Sequence, residues 1–106
     1  MKKLSLFLVS VVLLACQQQS GSDLKELYSL PKKLKEVSGI AYFPDTDILY
    51  TLEDSGNKNA VYAINSKGEL EKTITVSNAK NVDWEDITKD KSGNIYIGDF
   101  GNNDNE

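Results

Sequence analysis

Two stretches of this chain, residues 35–57 and 80–102, share one pattern, and both end in Asp-x-Gly-Asn. The first stretch is KEVSGIAYFPDTDILYTLEDSGN, and the second is KNVDWEDITKDKSGNIYIGDFGN. Their Asp-x-Gly-Asn motifs begin at Asp54 and Asp99, which lie 45 residues apart. A period of this length in a strand-rich sequence is typical of folds in which each repeat buries its apolar face against the next. The repeat therefore limits the chain to architectures made by stacking similar units.

Short apolar segments separated by Pro, Asp, Asn and Gly predict strands joined by tight turns. The predicted strands are 38–43, 48–53, 60–64 and 70–76 in the first unit, and 85–88 and 95–98 in the second. The last strand of the first unit should place Leu70, Ile74 and Val76 on one face. For Leu27–Leu30 we favour a further strand over a short helix. Trp84 is expected to pack between the units or against the rim, and a role in stacking on a substrate is the less favoured alternative.

These patterns predict an all-β fold made of antiparallel four-stranded meanders, which are the blades of a β-propeller. Blade one spans about residues 36–77, and blade two begins at about residue 82 and continues to residue 106. Residues 23–106 are therefore expected to form a partial propeller, truncated after about one and a half blades, since repeat folds usually need at least three units. A small sandwich that contains a duplicated hairpin is the alternative.

The N-terminus has the order of features found in an export signal. Lys2 and Lys3 precede the apolar run Leu4–Leu14, which is too short to span a membrane. The Leu-Leu-Ala-Cys sequence that follows resembles the lipobox of bacterial lipoproteins. This resemblance implies that residues 1–15 are a signal peptide removed before Cys16, and that Cys16 is lipidated. An ordinary secretory signal with a chance cysteine is the alternative.

The polar residues that follow Cys16 indicate a flexible tether over 16–22. The expected location is the bacterial cell envelope, with the protein held on a membrane as a lipoprotein. Gln17, directly after the cysteine, favours the outer membrane, on its periplasmic face or at the cell surface. The membrane is thus the one partner that the sequence predicts.

Composition excludes several classes of function. The chain has a formal net charge of −4, no arginine and no histidine. An acidic chain without arginine is poorly suited to nucleic acids, so no nucleic-acid partner is expected. The lack of histidine removes the commonest general base and the commonest zinc ligand from this segment. Cys16 is the only cysteine, which excludes an intrachain disulfide.

Acidic and amide side chains gather where the predicted hairpins begin and end. Three acids lie at the start of an inner strand: Glu36, Asp83 and Glu85. Because the start of one strand and the end of its antiparallel partner meet at one edge, these groups should share a rim. Hard oxygen ligands of this kind suit Ca²⁺, which is the candidate cofactor. The candidate metal ligands are therefore Glu36, Asp83 and Glu85, with Glu36 first.

The repeated motifs at the strand ends have a structural explanation as well. They comprise Asp54, Gly56 and Asn57 in the first unit, and Asp99, Gly101 and Asn102 in the second. Asp and Asn bond to their own backbone in turns, and Gly accepts a positive φ. For Asp54 and Asp99 the turn role is favoured, whereas for Glu36 and Glu85 the turn and ligand roles are balanced.

The segments EVSGI, LEDSGN, VYAIN, NVDWEDI and YIGDFGNN resemble the opening of a group of largely uncharacterised bacterial exported propellers, over about residues 24–106. More distantly, the chain is similar to six-bladed calcium propellers of the gluconolactonase, senescence-marker and strictosidine-synthase-like kind. That similarity implies a six-bladed parent. It also implies that Glu36 corresponds to the first-blade glutamate that ligates calcium.

Two functions follow as expectations. The first is a lipid-anchored binding or scaffold module of the cell envelope. The second is a Ca²⁺-dependent hydrolase of lactones or esters, in which the ion polarises the carbonyl group. The residues assign no catalytic group and leave open whether the protein is an enzyme.

Overall fold

A computed structural model describes residue 21 and residues 23–104, and within these ranges it contains six β-strands and no helix. The strands are β1 (Val37–Phe43), β2 (Ile48–Glu53), β3 (Ala60–Ile64), β4 (Leu70–Thr75), β5 (Trp84–Lys89) and β6 (Ile95–Asp99). All six predicted strands are confirmed, and their ends differ from the prediction by at most one residue. The all-β class is confirmed for the described residues.

The strands form two separate antiparallel groups. Among the described residues, strands β1 to β4 make one sheet in chain order, and β5 pairs only with β6 in a hairpin. The β3–β4 and β5–β6 turns contain Gly68 and Gly93, whose φ angles of 77° and 84° lie in the region that favours glycine. The meander order predicted for the first unit is thus present.

The same β-bulge occurs in both units. In β1 the register shifts at Ser38, between the pairs Val37–Glu53 and Gly39–Leu52. In β5 it shifts at Glu85, between the pairs Trp84–Asp99 and Asp86–Gly98. A bulge adds one unpaired residue and increases the local twist, so both inner strands bend at the same place. This register makes Glu53, and not Asp54, the structural counterpart of Asp99.

The β5–β6 hairpin packs against one face of the four-stranded sheet. The core between them consists of Ala41, Leu52, Val61, Trp84 and Ile87. Trp84 is 2% exposed, which confirms its predicted place between the units. Full burial of a large apolar side chain contributes about 2 kcal/mol, so this interface is a main source of stability.

The starts of β1 and β5 lie side by side. A Cβ atom at Gly39 would come within 2.9 Å of the Ile87 backbone nitrogen, so the two backbones approach closely at this point. The Ser38 hydroxyl donates a hydrogen bond of 2.7 Å to the Trp84 carbonyl oxygen. The two units therefore stack in the same direction, and their corresponding ends are adjacent.

The opposite face of the sheet is covered by the N-terminal segment, residues 23–36. Tyr28, Leu30 and Leu34 pack against a second core of Ala60, Tyr62 and Ile64. The strand predicted at Leu27–Leu30 is wrong, because the segment contributes side chains to this core without joining the backbone ladder of the sheet. It forms neither a strand nor a helix.

The apolar face of β4 also differs from the prediction. Ala63 pairs with Lys72 and Ile64 pairs with Leu70, so Glu71 is an extra residue in the strand. This irregularity turns Leu70 towards the second core, whereas Ile74 and Val76 pack in the first. The simple two-residue alternation predicted for β4 fails because one extra residue exchanges the faces.

Candidate functional site

Polar side chains gather at the end of the molecule where β1 and β5 begin and where β2 and β6 end. We call this end the acidic rim. Its members are Glu36, Glu53, Asp54, Asn57, Asn81, Asp83, Glu85 and Asp99. The Ser38–Trp84 hydrogen bond keeps the contributions of the two units next to each other. Both units therefore contribute oxygen atoms to a single region of the surface.

In the first unit, Asn57 links Glu36 to Asp54. Its side-chain amide donates to Glu36 Oε2 at 2.8 Å and to Asp54 Oδ1 at 3.3 Å, and the Asp54 backbone N–H donates to the Glu36 carbonyl at 3.0 Å. Gly56 has a φ of 81°, as the turn explanation of this motif requires. Asp54, Gly56 and Asn57 thus form a turn that also holds the Glu36 carboxylate.

Glu53 is a rim residue that the sequence analysis did not single out. It is 6% exposed, and its Oε1 accepts hydrogen bonds from the backbone N–H groups of Lys35 at 2.7 Å and Glu36 at 3.4 Å. Its Oε2 accepts from the Tyr62 hydroxyl at 3.4 Å. Burial, followed by the charge of Glu53, raises the pKa of the Tyr62 hydroxyl. The sequence feature that could have identified Glu53 is an acidic residue at the end of an otherwise mostly apolar strand.

Asp99 occupies the position in the second unit that Glu53 occupies in the first. Its Oδ1 accepts a hydrogen bond of 2.8 Å from the backbone N–H of Asp83, the counterpart of Glu36. It lies inside β6 and not after the strand, which corrects the predicted position. In both units a strand-end carboxylate therefore fixes the start of the inner strand.

Asn81 joins the two units at the rim and was also missed from the sequence. Its amide donates to the carbonyl oxygens of Glu53 at 2.9 Å and Asp54 at 2.7 Å. Its own oxygen accepts from the Trp84 backbone N–H at 3.1 Å. Nothing in the sequence marks it, because an asparagine in a polar connection is common.

Asp83 is the most unusual carboxylate of the rim. It is 8% exposed, and its Oδ2 accepts a hydrogen bond of 3.2 Å from the Asn103 side chain. Its Oδ1 is buried and has no hydrogen-bond partner among the described residues. A Cβ atom at Gly101 would overlap the Asp83 carboxyl group. Gly101 is therefore needed for this close approach, and it lacks the positive φ expected from the motif.

Glu85 lies beside Asp83. Partial burial, then the charge of Asp83 with a hydrogen bond between the two carboxyl groups, and then the charge of Asp54 raise the pKa of Glu85. Asp83, Glu85 and Asp54 are thus close enough to interact, whereas Glu36 is tied to Asn57 on the first unit. Of the three predicted metal ligands, the structure brings together Asp83 and Glu85.

Within residues 21 and 23–104, no set of three or more His, Cys, Asp or Glu side chains is arranged as a metal cage. A site at the rim would therefore combine fewer carboxylates with backbone oxygens, amide oxygens or water. Ca²⁺ accepts such mixed shells of about six to eight oxygens. The residue types present are compatible with that chemistry.

A cleft of 570 Å³ lies next to the acidic rim. Its lining comes from the N-terminal segment, the loop after β2, and strands β3 and β4, and includes Lys33, Glu53, Asn57, Lys58 and Tyr62. It presents two ammonium groups beside amide and phenol groups. This recess could accommodate a small polar ligand or a peptide side chain.

Asn102 follows Gly101 in the segment after β6. Comparison with protein-family models, with curated proteins and with solved structures finds no significant match to this chain. No helix of the described part of the chain has the length and apolar character needed to cross a bilayer. The predicted signal peptide, 1–15, and Cys16 lie outside the described residues.

Proposed function

We propose that this protein is a lipid-anchored binding module of the cell envelope, built from stacked β-units of the propeller type, whose ligands meet the acidic rim. The observation that carries the proposal is the stacking of two units in the same direction. It rests on a repeated bulge and on the Ser38–Trp84 hydrogen bond between the units. Stacking of this kind brings equivalent ends of successive units together.

The contrast between the two ends of the molecule supports the rim as the ligand-binding end. At the opposite end, Asp90 and Asn65 form turns in which their side-chain oxygens accept backbone N–H groups of the same turn. At the rim, Asp83 retains a buried oxygen that has no partner among the described residues, and the 570 Å³ cleft opens beside Glu53 and Asn57 of the first unit. Polar groups that the fold does not use are the groups available to a ligand.

The proposed anchor is Cys16, with residues 17–22 as its tether. Burial of acyl chains contributes about 0.8 kcal/mol per methylene, so two or more chains hold a protein durably on a bilayer. The rim would then act at a fixed, short distance from the membrane. This favours a binding or scaffold role over a freely diffusing one.

The test compares the wild-type protein with Cys16→Ser and with the matched control Gln17→Ser in a bacterial host. Metabolic labelling with a fatty acid and sedimentation of membranes after a high-salt wash are measured. Wild type and Gln17→Ser are expected to carry label and remain with membranes, whereas Cys16→Ser loses the label and keeps its uncut leader. A soluble, unlabelled wild-type protein would refute the anchored module.

A further inference from the structure

The Asp83 carboxylate occupies an unfavourable environment in the structure as it stands. It is 8% exposed, and its Oδ1 receives no hydrogen bond from the described residues. Leaving a buried polar atom unpaired costs about 1–3 kcal/mol, and more when the group is charged. Folded proteins rarely retain such an atom without a ligand, proton or water that satisfies it.

The neighbours of Asp83 add to this cost. Glu85 lies against it, and the charges that act on Glu85 are those of Asp83 and Asp54, both negative. Like charges placed close together in a partly buried site repel one another unless a cation or hydrogen bonds compensate. Positive charge at this point would satisfy the unpaired oxygen and remove the repulsion together.

The surrounding backbone fixes the carboxylate in place. The Asp83 N–H is bonded to Asp99, its Oδ2 to Asn103, and its carboxyl group lies directly over Gly101. Three separate contacts thus hold the Asp83 side chain in place, and its Oδ1 receives no hydrogen bond from the described residues. This is the preorganisation expected of a ligand atom.

We propose that Asp83 and Glu85 hold a hard divalent cation of the Ca²⁺ class at the acidic rim, with water completing its shell. The proposal rests on the rim being the ligand-binding end of the proposed module, and it places the ion on the second unit and not at Glu36. Ca²⁺ suits the pair better than Mg²⁺, since it tolerates irregular shells that mix carboxylates and water. The bound ion would also tie the start of β5 to the loop after β6.

Trp84 provides a direct readout, because this single tryptophan of the chain lies between the two proposed ligands in the sequence. Tb³⁺ is a hard cation that occupies Ca²⁺ sites and emits when a nearby tryptophan transfers energy to it. The full-length protein in detergent is titrated with Tb³⁺ under tryptophan excitation. Saturable emission, displaced by Ca²⁺ at lower concentration than by Mg²⁺, is expected.

The variants Glu85→Gln and Asp83→Asn are expected to weaken Tb³⁺ binding about tenfold or more, which corresponds to about 1.4 kcal/mol. Gly101→Ala, which displaces the Asp83 carboxyl group without removing a charge, should weaken it as well. Asp45→Asn, an exposed acid at the opposite end, is the matched control and should bind as wild type does. Circular dichroism confirms that each variant is folded.

Three results would overturn the proposal. No sensitised emission from folded wild-type protein would mean that Asp83 and Glu85 hold no such cation. Equal weakening by Asp45→Asn would indicate nonspecific surface binding. Loss of emission in Glu36→Gln but not in Glu85→Gln would move the ion to the first unit. None of these results bears on the lipid anchor, which the Cys16→Ser labelling tests separately.

Discussion

Asp90 shows how one carboxylate can build a turn. Its Oδ1 accepts the backbone N–H groups of Ser92 and Asn94, both at 2.9 Å. Its Oδ2 accepts from the Asn94 side chain at 2.8 Å and from the Tyr96 hydroxyl at 3.0 Å. The side-chain hydrogen bond from Asn94 is the largest of the effects that lower the pKa of Asp90 to about 2. The charged form therefore closes the β5–β6 hairpin.

This turn should make stability depend on pH in acid. The folded-state pKa of about 2 lies below the ordinary value of 3.8, so the contribution is complete well above pH 3.8. It is lost as the pH falls towards 2. The melting temperature of Asp90→Asn should therefore fall less than that of the wild type over this pH interval, because an amide side chain does not titrate there. Thermal unfolding followed by circular dichroism at several pH values measures the difference.

Asn65 provides the internal precedent for that variant. Its Oδ1 accepts the N–H groups of Lys67 and Glu69, both at 3.0 Å, in the β3–β4 turn of the first unit. An uncharged side chain therefore already maintains this geometry once in the molecule. An equal acid-induced loss in Asp90→Asn and wild type would show that the Asp90 carboxylate is not responsible.

Sequence patterns placed the rim acids at one end but did not reveal which of them are buried. The antiparallel geometry of a hairpin is sufficient to place these acids at one end, because the start of one strand lies beside the end of its partner. Burial of Glu53 and Asp83 depends on contacts with residues 18 and 20 positions away, respectively, which a linear pattern does not contain. The motif also aligns Asp54 with Asp99, whereas the strand register aligns Glu53 with Asp99.

Among the structural elements, the six strands follow directly from alternating apolar residues and clear turn residues. The N-terminal segment does not, because Tyr28, Leu30 and Leu34 pack on the second core without pairing in the sheet. Periodicity detects paired strands and amphipathic helices, and a covering segment has neither period. The irregularity at Glu71 in β4 could not be predicted from periodicity either, because an extra residue interrupts the two-residue alternation.

The N-terminal segment is held where it crosses the β3–β4 turn. A Cβ atom at Gly68 would lie 2.7 Å from the Ser29 carbonyl oxygen and 2.9 Å from the Tyr28 ring. Gly93 has nearly the same backbone φ angle, but a Cβ atom there would come no closer than 3.8 Å to the Phe43 ring. Comparing the same substitution at Gly68 and Gly93 therefore separates the effect of crowding from the effect of backbone strain.

Gly93→Ala should cost about 1–2 kcal/mol of unfolding free energy, the penalty for a side chain at positive φ. Gly68→Ala should cost more, because its methyl group also collides with the Ser29 backbone and displaces Tyr28 from the second core. Limited proteolysis should then cleave within residues 23–34 faster in Gly68→Ala than in Gly93→Ala. Equal stability and equal cleavage in the two variants would mean that the segment does not pack on this turn.

In the whole molecule, the main structural question is what pairs with the outer edge of β6. In the described part of the chain, β6 pairs only with β5. The Asp90 N–H donates to the Asn94 carbonyl, and hydrogen bonds alternate along an antiparallel pair. The Tyr96 amide therefore points towards β5, and the amides of Ile95 and Ile97 point away from it.

Leu49 and Thr51 occupy the equivalent positions of β2, where they pair with Ile64 and Tyr62 of β3. A propeller blade would give β6 the same kind of partner, whereas a two-layer sandwich would leave its outer edge open. The amides of Leu49 and Thr51 are thus matched references for those of Ile95 and Ile97.

Residue-resolved amide hydrogen exchange on the full-length protein distinguishes these two architectures. If the stacked units are propeller blades, the amides of Ile95 and Ile97 will exchange as slowly as those of Leu49 and Thr51, because a third strand accepts their hydrogen bonds. Exchange of Ile95 and Ile97 at the rate of an unstructured peptide, with Leu49 and Thr51 still protected, would contradict the propeller and favour the sandwich.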